Sequence, residues 1–203
     1  MRRIIVAALM IGLLIPAEAG AQQQDRPRRI TVGDNFFDNP DVRVRVGKRI
    51  RWIREGSGPE HNVVEDHGIF RSGNPRSGAF ELSLRVSAGT YPYFCEVHGG
   101  PDGQGMAGVL RVPVRLAAFP PDETFTVRWA TKGTVTGQRF DVQWRSRAKW
   151  QRWQRGVTAK RAVFGTGDDP VAVTPGEAYQ FRARTRTAAG GPGDWSPVVT
   201  FRA

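Results

Sequence analysis

The chain has 203 residues, enough for one large domain or two small ones and for a substantial core. An apolar share of 39%, with six Trp and eleven Phe, excludes the aromatic-poor composition of a disordered chain, and the net charge of +11 favours anionic surroundings without bearing on the fold. One cysteine, Cys95, excludes an internal disulfide, a paired-cysteine redox motif and a multi-cysteine zinc site, while three histidines cannot build a multinuclear metal centre.

Residues 1–21 set two arginines before an apolar run from Ile4 to Ile15, followed by Pro16 and small residues at Ala17, Ala19 and Ala21. That order is the one of a secretory signal peptide, cleaved after Ala19 or Ala21. The run falls short of the roughly 20 residues that span a bilayer, so no transmembrane segment is expected in the mature chain. The protein is expected to be exported, periplasmic in a Gram-negative source and otherwise extracellular. An unpaired thiol in an oxidising compartment is a liability unless something occupies it. A metal is one such occupant of Cys95; the alternative is a buried, inert thiol.

From Arg29 onward apolar and polar residues alternate, as in Val42, Val44 and Val46 with Arg43 and Arg45 between them, or Ile50 and Trp52 flanked by Arg49 and Arg51. Short runs of this kind, separated by Gly, Pro, Asn and Asp, predict an all-β chain of two β-sandwich domains in tandem. Pro120 and Pro121 cannot donate to a strand ladder and mark a hinge. The expected division is a first domain over 25–116, a linker over 117–122 and a second domain over 123–203. Residues 25–115 carry 14 cations against 11 anions, and residues 116–203 carry 14 against 7, so most of the excess charge falls in the second domain.

In the first domain an aromatic strand, Tyr91-Pro92-Tyr93-Phe94, ends at Cys95; a glycine-rich loop then carries His98, and Met106 opens the next strand. His61 heads a separate strand in Pro59-Glu60-His61-Asn62-Val63. One thiolate, two imidazoles and a thioether form a soft, mixed donor set. It suits one copper ion cycling between Cu(I) and Cu(II), because a trigonal His₂Cys site with a weak axial Met is a compromise between the two states' preferences. Zinc prefers four strong ligands, and calcium and magnesium prefer oxygen. The thiol must lose its proton to bind, so occupancy should weaken in acid. His67, in a polar turn after the His61 strand, reads as solvated.

Residues 29–115 resemble a cupredoxin, the small blue copper fold, most closely the plastocyanin and pseudoazurin types. The resemblance rests on Val46-Gly47-Lys48-Arg49-Ile50-Arg51-Trp52, on the His61 strand, and on the stretch from Tyr93 through Cys95 and His98 to Met106 and Gly108. It implies that His61, Cys95, His98 and Met106 ligate copper and that the Asn62 side chain pins the cysteine-bearing loop. The seven residues between His98 and Met106 exceed the plastocyanin spacing. With one spare histidine and no second centre, the chain lacks the open coordination position that an oxidase or nitrite reductase needs. The expectation is therefore a non-enzymatic, single-electron carrier, with the edge of His98 as the electron port. The redox partner would be a protein such as a cytochrome or a copper oxidoreductase. The alternative is copper storage or delivery, or surface binding without an electron-carrier role.

The second half resembles a fibronectin type III module, with Trp129 as core anchor, Tyr179 at the tyrosine corner and Trp195-Ser196 entering a last strand. Alternation points Tyr179, Phe181 and Ala183 inward and Gln180, Arg182, Arg184 and Arg186 outward, where Trp195 can stack across the guanidiniums. The segment Arg145, Arg147, Lys149, Trp150, Arg152 and Trp153 interleaves cations with aromatics. It is a candidate surface for an acidic partner or a polysaccharide, against the alternative of a solvated basic hairpin. Nucleic acid is discounted for an exported protein.

Overall fold

The computed structural model describes residues 26–118, 124–134, 138–165 and 171–203. The expected leader, residues 1–21, and the proline pair at 120–121 lie outside them. Among the described residues all regular structure is β-strand, as the alternating pattern predicts.

The first half supplies β1 (Arg28–Thr31), β2 (Asp41–Arg43), β3 (Arg49–Arg54), β4 (Val64–Glu65), β5 (Phe80–Arg85), β6 (Gly89–Gly100) and β7 (Gln104–Val112). One sheet has the order β1-β3-β5 and the other β2-β7-β6-β4. β1 runs parallel to β3, and β2 parallel to β7. On β3, Ile50 and Trp52 are wholly buried, whereas Arg51 faces Glu81 of β5 at the surface. Burying each such apolar side chain stabilises the fold by about 1.5–3 kcal/mol. A one-residue slip would put Arg51 in the core, so the register is fixed. On β6 the same alternation turns Tyr91, Tyr93 and Cys95 inward. Gly108 on β7 lets Tyr93 pack there: a β-carbon would stand 2.6 Å from the tyrosine hydroxyl and 2.9 Å from the Pro40 carbonyl.

The second half supplies β8 (Arg115–Ala118), β9 (Phe125–Arg128), β10 (Arg139–Arg145), β11 (Gln151–Val157), β12 (Arg161–Phe164), β13 (Ala178–Arg186) and β14 (Val199–Arg202). They form sheets β12-β9-β8 and β11-β10-β13-β14 around a second core built on Phe125, Trp129, Phe140, Phe164 and Phe181. Tyr179, Phe181 and Ala183 turn inward and the arginines of β13 outward, as alternation predicts. Arg182 lies between two rings, 4.1 Å from Trp150 and 4.6 Å from Trp195; Arg184 stacks on Trp195 and Arg145 on Trp150.

Two details of this half depart from expectation. Trp153 does not join a basic surface: it meets Trp129, Phe164 and Phe181 edge-on, because its place on β11 points it at the core. Ala117 and Ala118, assigned to the linker, instead continue β8 and pair with Thr126 and Phe125 of β9. The period of two persists past Pro113, and Val114 is already buried in the second core.

The two halves are in direct contact. Ser87, Tyr91 and Thr185 are buried and joined hydroxyl to hydroxyl at 2.7–2.9 Å. The Ala88 amide donates to the Trp129 carbonyl at 2.7 Å, and the Thr90 hydroxyl to the Trp195 carbonyl at 2.8 Å.

Candidate metal centre

β4 pairs with β6 through Val64–Phe94 and Glu65–Tyr93, which carries the chain just upstream of β4 alongside Cys95. Two backbone hydrogen bonds between His61 and Arg76 hold that upstream segment in place. Past Cys95 the β6–β7 ladder breaks and resumes at Gly99–Gly105, so His98 lies within the bulge. Gly105, at φ +61, accepts the close approach of the His98 carbonyl, with which any β-carbon there would collide. Beyond it, the Met106 backbone lies against Gly99, the residue after His98.

The outcome is a convergence of three donors. Cys95 Sγ stands 3.6 Å from His61 Nδ1 and 3.6 Å from His98 Nδ1, and all three ligand atoms lie within 4.8 Å of one another. The two imidazoles are 4.5 Å apart between centroids and tilted by 33°. Cys95 and His61 are wholly buried, and His98 is half-buried. A spacing of 3.6 Å is that of two atoms each about 2.0–2.3 Å from one ion and roughly 115° apart around it. The His61 Nε2 is buried without a hydrogen-bond partner, so this ring's polar contact is with the cluster itself. Burial, and then the charges of Arg54 and His98, lower the His61 pKa and favour the neutral imidazole that a metal requires. The donor set therefore fits a soft, mononuclear ion.

Asn62 is buried behind the cluster. Its Oδ1 accepts the Glu96 amide at 3.0 Å, and its Nδ2 donates to Glu96 Oε2 at 2.6 Å and to the Gly73 carbonyl at 3.0 Å. The residue after Cys95 is thus tied to the residue after His61. Met106 is buried in the same apolar cluster as Cys95.

His67 is exposed, as expected, yet it has partners. Its Nδ1 is 3.2 Å from the buried Glu65 carboxylate and its Nε2 is 3.6 Å from Asp194 of the second half, so the ring bridges the two halves. Among the second-half candidates, Arg147 and Lys149 are exposed before β11 and Arg152 is exposed on it; Arg145 and Trp150 are committed to the stacking ladder. Sequence reading passed over Arg54, a buried cation close enough to perturb His61, and Glu96, which Arg71 and Asn62 hold beside Cys95. For Arg54 the signal was an arginine at an inward strand position; for Glu96, an acid next to the ligand cysteine.

One buried thiol and two ring nitrogens converging at the end of a β-sandwich define the cupredoxin class. No protein-family model matches the chain. The plastocyanin of Scenedesmus fuscus is 32% identical over 91 residues, which are 39% of this chain and 89% of that protein. Among solved structures the chain is similar to an oxidised amicyanin variant, with 25% identity, coverage of 42% of this chain and 80% of that one, and a TM-score of 0.33. It is also similar to amicyanin from Paracoccus versutus, with 24% identity, coverage of 49% and 85%, and a TM-score of 0.33. The chain belongs to the plastocyanin family. Its cofactor is accordingly copper, and it is of an electron-carrier class and not an enzyme. No described helix is long and apolar enough to cross a membrane.

Proposed function

We propose that the protein is an exported blue copper electron carrier in which His61 Nδ1, Cys95 Sγ and His98 Nδ1 would hold one copper ion, with Met106 as a weaker fourth donor. The observation that carries this reading is the 3.6 Å spacing of both ring nitrogens from one buried thiol. Bound copper supplies one-electron chemistry between Cu(II) and Cu(I). The protein's part is to keep that exchange free of rearrangement. Asn62 fixes the cysteine strand, and Gly105 lets the long loop close onto His98. The burial of Cys95 and His61 excludes water from the donors. His98, half-buried beside Val97, which is 50% exposed, is the contact through which an electron passes to a redox partner protein. A small, weakly polar patch of this kind suits a brief encounter.

The leader over 1–21 would export the chain. The second half would act as a fibronectin type III-like adaptor. Supporting this are its three- and four-stranded sheets and the Tyr179 hydroxyl, which accepts the Thr174 amide at 2.9 Å as a tyrosine corner requires. Its exposed cations, Arg147, Lys149 and Arg152, are the groups available to an acidic partner or polysaccharide. With β8 in its sheet, the division between domains falls near Pro113.

The test is the visible spectrum of the copper-loaded, oxidised protein beside that of Cys95→Ser. A strong visible band in the wild type that vanishes in the variant, with the strand signature in circular dichroism kept, is expected. A band that survives the substitution, or no band in the wild type, overturns the reading.

A further inference from the structure

Glu65 closes β4 with its carboxylate buried. Its Oε2 accepts the His67 amide at 3.0 Å and the Ile69 amide at 2.9 Å, and its Oε1 stands 3.2 Å from His67 Nδ1. A carboxylate oxygen can only accept, so in the neutral ring Nδ1 carries the proton and the lone pair lies on Nε2. Carboxylate–histidine pairs of this kind orient imidazoles that bind metals. The free Nε2 faces Asp194 Oδ1 of the second half at 3.6 Å. That gap is too long for a hydrogen bond. It is the spacing of a nitrogen and an oxygen each about 2.0–2.2 Å from one shared ion and roughly 120° apart around it. The backbone holds both donors in place, since Asp194 is bridged to Thr90, whose amide donates to the Asp194 carbonyl at 3.3 Å. His67 and Asp194 also line a cleft of about 610 Å³ through which an ion from solvent can enter. Asp66 and Asp102 line the same cleft, tied together by the Asp102 amide donating to Asp66 Oδ2 at 3.0 Å, while the Arg111 beside them is paired with Asp41 at 3.1 Å.

We propose that His67 Nε2 and Asp194 Oδ1 form a second metal site, separate from the Cys95 cluster, that takes a divalent ion of borderline hardness such as zinc. Glu65 is its positioning residue, and the Asp66 and Asp102 carboxylates are placed in the cleft to accept hydrogen bonds from the ion's water ligands. One imidazole and one carboxylate suit zinc, whereas a soft Cu(I) ion is better served by the Cys95 thiolate. Binding to the neutral ring and the ionised carboxylate releases no proton, and no oxidation state changes. Because the two protein ligands belong to different halves, the bound ion joins those halves. The rival occupant of the gap is a proton on Nε2, which would leave His67 as a cation between two carboxylates. The inference is independent of what the Cys95 cluster binds.

The experiment is a calorimetric titration of zinc chloride into the untagged, copper-loaded full chain at neutral pH, with the visible band followed to show that copper stays in place. The wild type should take up one zinc ion with the band unchanged. His67→Gln and Asp194→Asn, which alter side chains only 34% and 48% exposed but reached from the cleft, should each abolish that uptake. Glu65→Gln leaves both ligands present and should weaken zinc binding about 10- to 100-fold through the orientation of His67. If Glu65→Gln does not fold, the two ligand variants decide alone. No uptake by the wild type leaves the gap to a proton and overturns the proposal. Uptake that either ligand variant retains in full marks an adventitious ion elsewhere and overturns it equally. Absence of the visible band in the wild type sinks the copper reading instead; the same comparison, repeated with Cys95→Ser in every protein, then decides the second site by itself.

Discussion

Asn62 makes three hydrogen bonds with one side chain: two tie the segment of His61 to that of Cys95, and the third anchors it to the Gly73 carbonyl. Asn62→Ala would leave the Glu96 amide and the Gly73 carbonyl without those partners. Losing an ordinary hydrogen bond of this kind costs about 0.5–1.5 kcal/mol. Groups that orient a metal ligand are worth roughly 10- to 100-fold in metal affinity. The expected outcome is a lower urea midpoint for the metal-free variant and a copper affinity reduced at least about tenfold in chelator competition. Unchanged affinity would mean that Cys95 holds its place without this brace. At this scale the three converging donors were legible, because a lone thiol and two imidazoles in this pattern are chemically distinctive. The supports were legible only in part. Asn62 sits next to a ligand in the chain, but Arg54 and Asp34 are 20 residues apart and meet only through the fold.

The β10–β13 pair shows how an element manages its own charge. Four outward positions of β13 are Gln180, Arg182, Arg184 and Arg186, and such a row of guanidiniums would repel itself. Trp150 and Trp195 interleave with Arg182 and Arg184, and Asp141 of β10 meets Arg184 Nε and Arg186 Nε at 2.9 Å each while accepting the Gly156 amide. Burial by itself would raise the Asp141 pKa, but hydrogen bonds from Arg186, the Gly156 amide and Arg184 together outweigh it and leave it below the ordinary 3.8. With the folded value depressed, the stabilisation is fully present above pH 3.8 and is lost as pH falls through the folded pKa. Asp141→Asn should therefore lower stability at pH 7 by about 1–3 kcal/mol, with the gap to wild type narrowing in acid. Denaturant unfolding at a series of pH values checks this, and a gap that stays constant with pH would contradict it. Glu65, whose pKa burial raises, titrates in the opposite sense in both proteins and cancels in the difference. Alternation made the strand and its outward arginines legible. It could not show Trp153 turning into the core or β8 running on through Ala117 and Ala118, because both depend on which sheet receives the strand.

Across the whole molecule the two halves meet in a packed contact. The Ser87, Tyr91 and Thr185 hydroxyls close a triangle in which each is buried, and burial pushes the Tyr91 pKa up to about 12. Gly193 packs so tightly on Ile69 that a β-carbon would stand 2.7 Å from the side chain, and His67 spans from Glu65 to Asp194. The contacts that cross between the halves do not follow from periodicity, since they join residues 94 or more positions apart and turn on how two finished sandwiches meet. If opening one half strands the buried hydroxyls of the other, the halves unfold together, and any ligand bound by the first stabilises both. Calorimetry of the wild type should show one transition that moves upward as a whole when copper is added. Thr185→Val keeps the shape but leaves Ser87 and Tyr91 short of a partner, a loss of about 1–3 kcal/mol placed at the boundary. In that variant the trace should separate into two transitions, with copper raising only the one that belongs to the first half. Two transitions already present in the wild type, one of them indifferent to copper, would show that the hydroxyl triangle does not couple the halves.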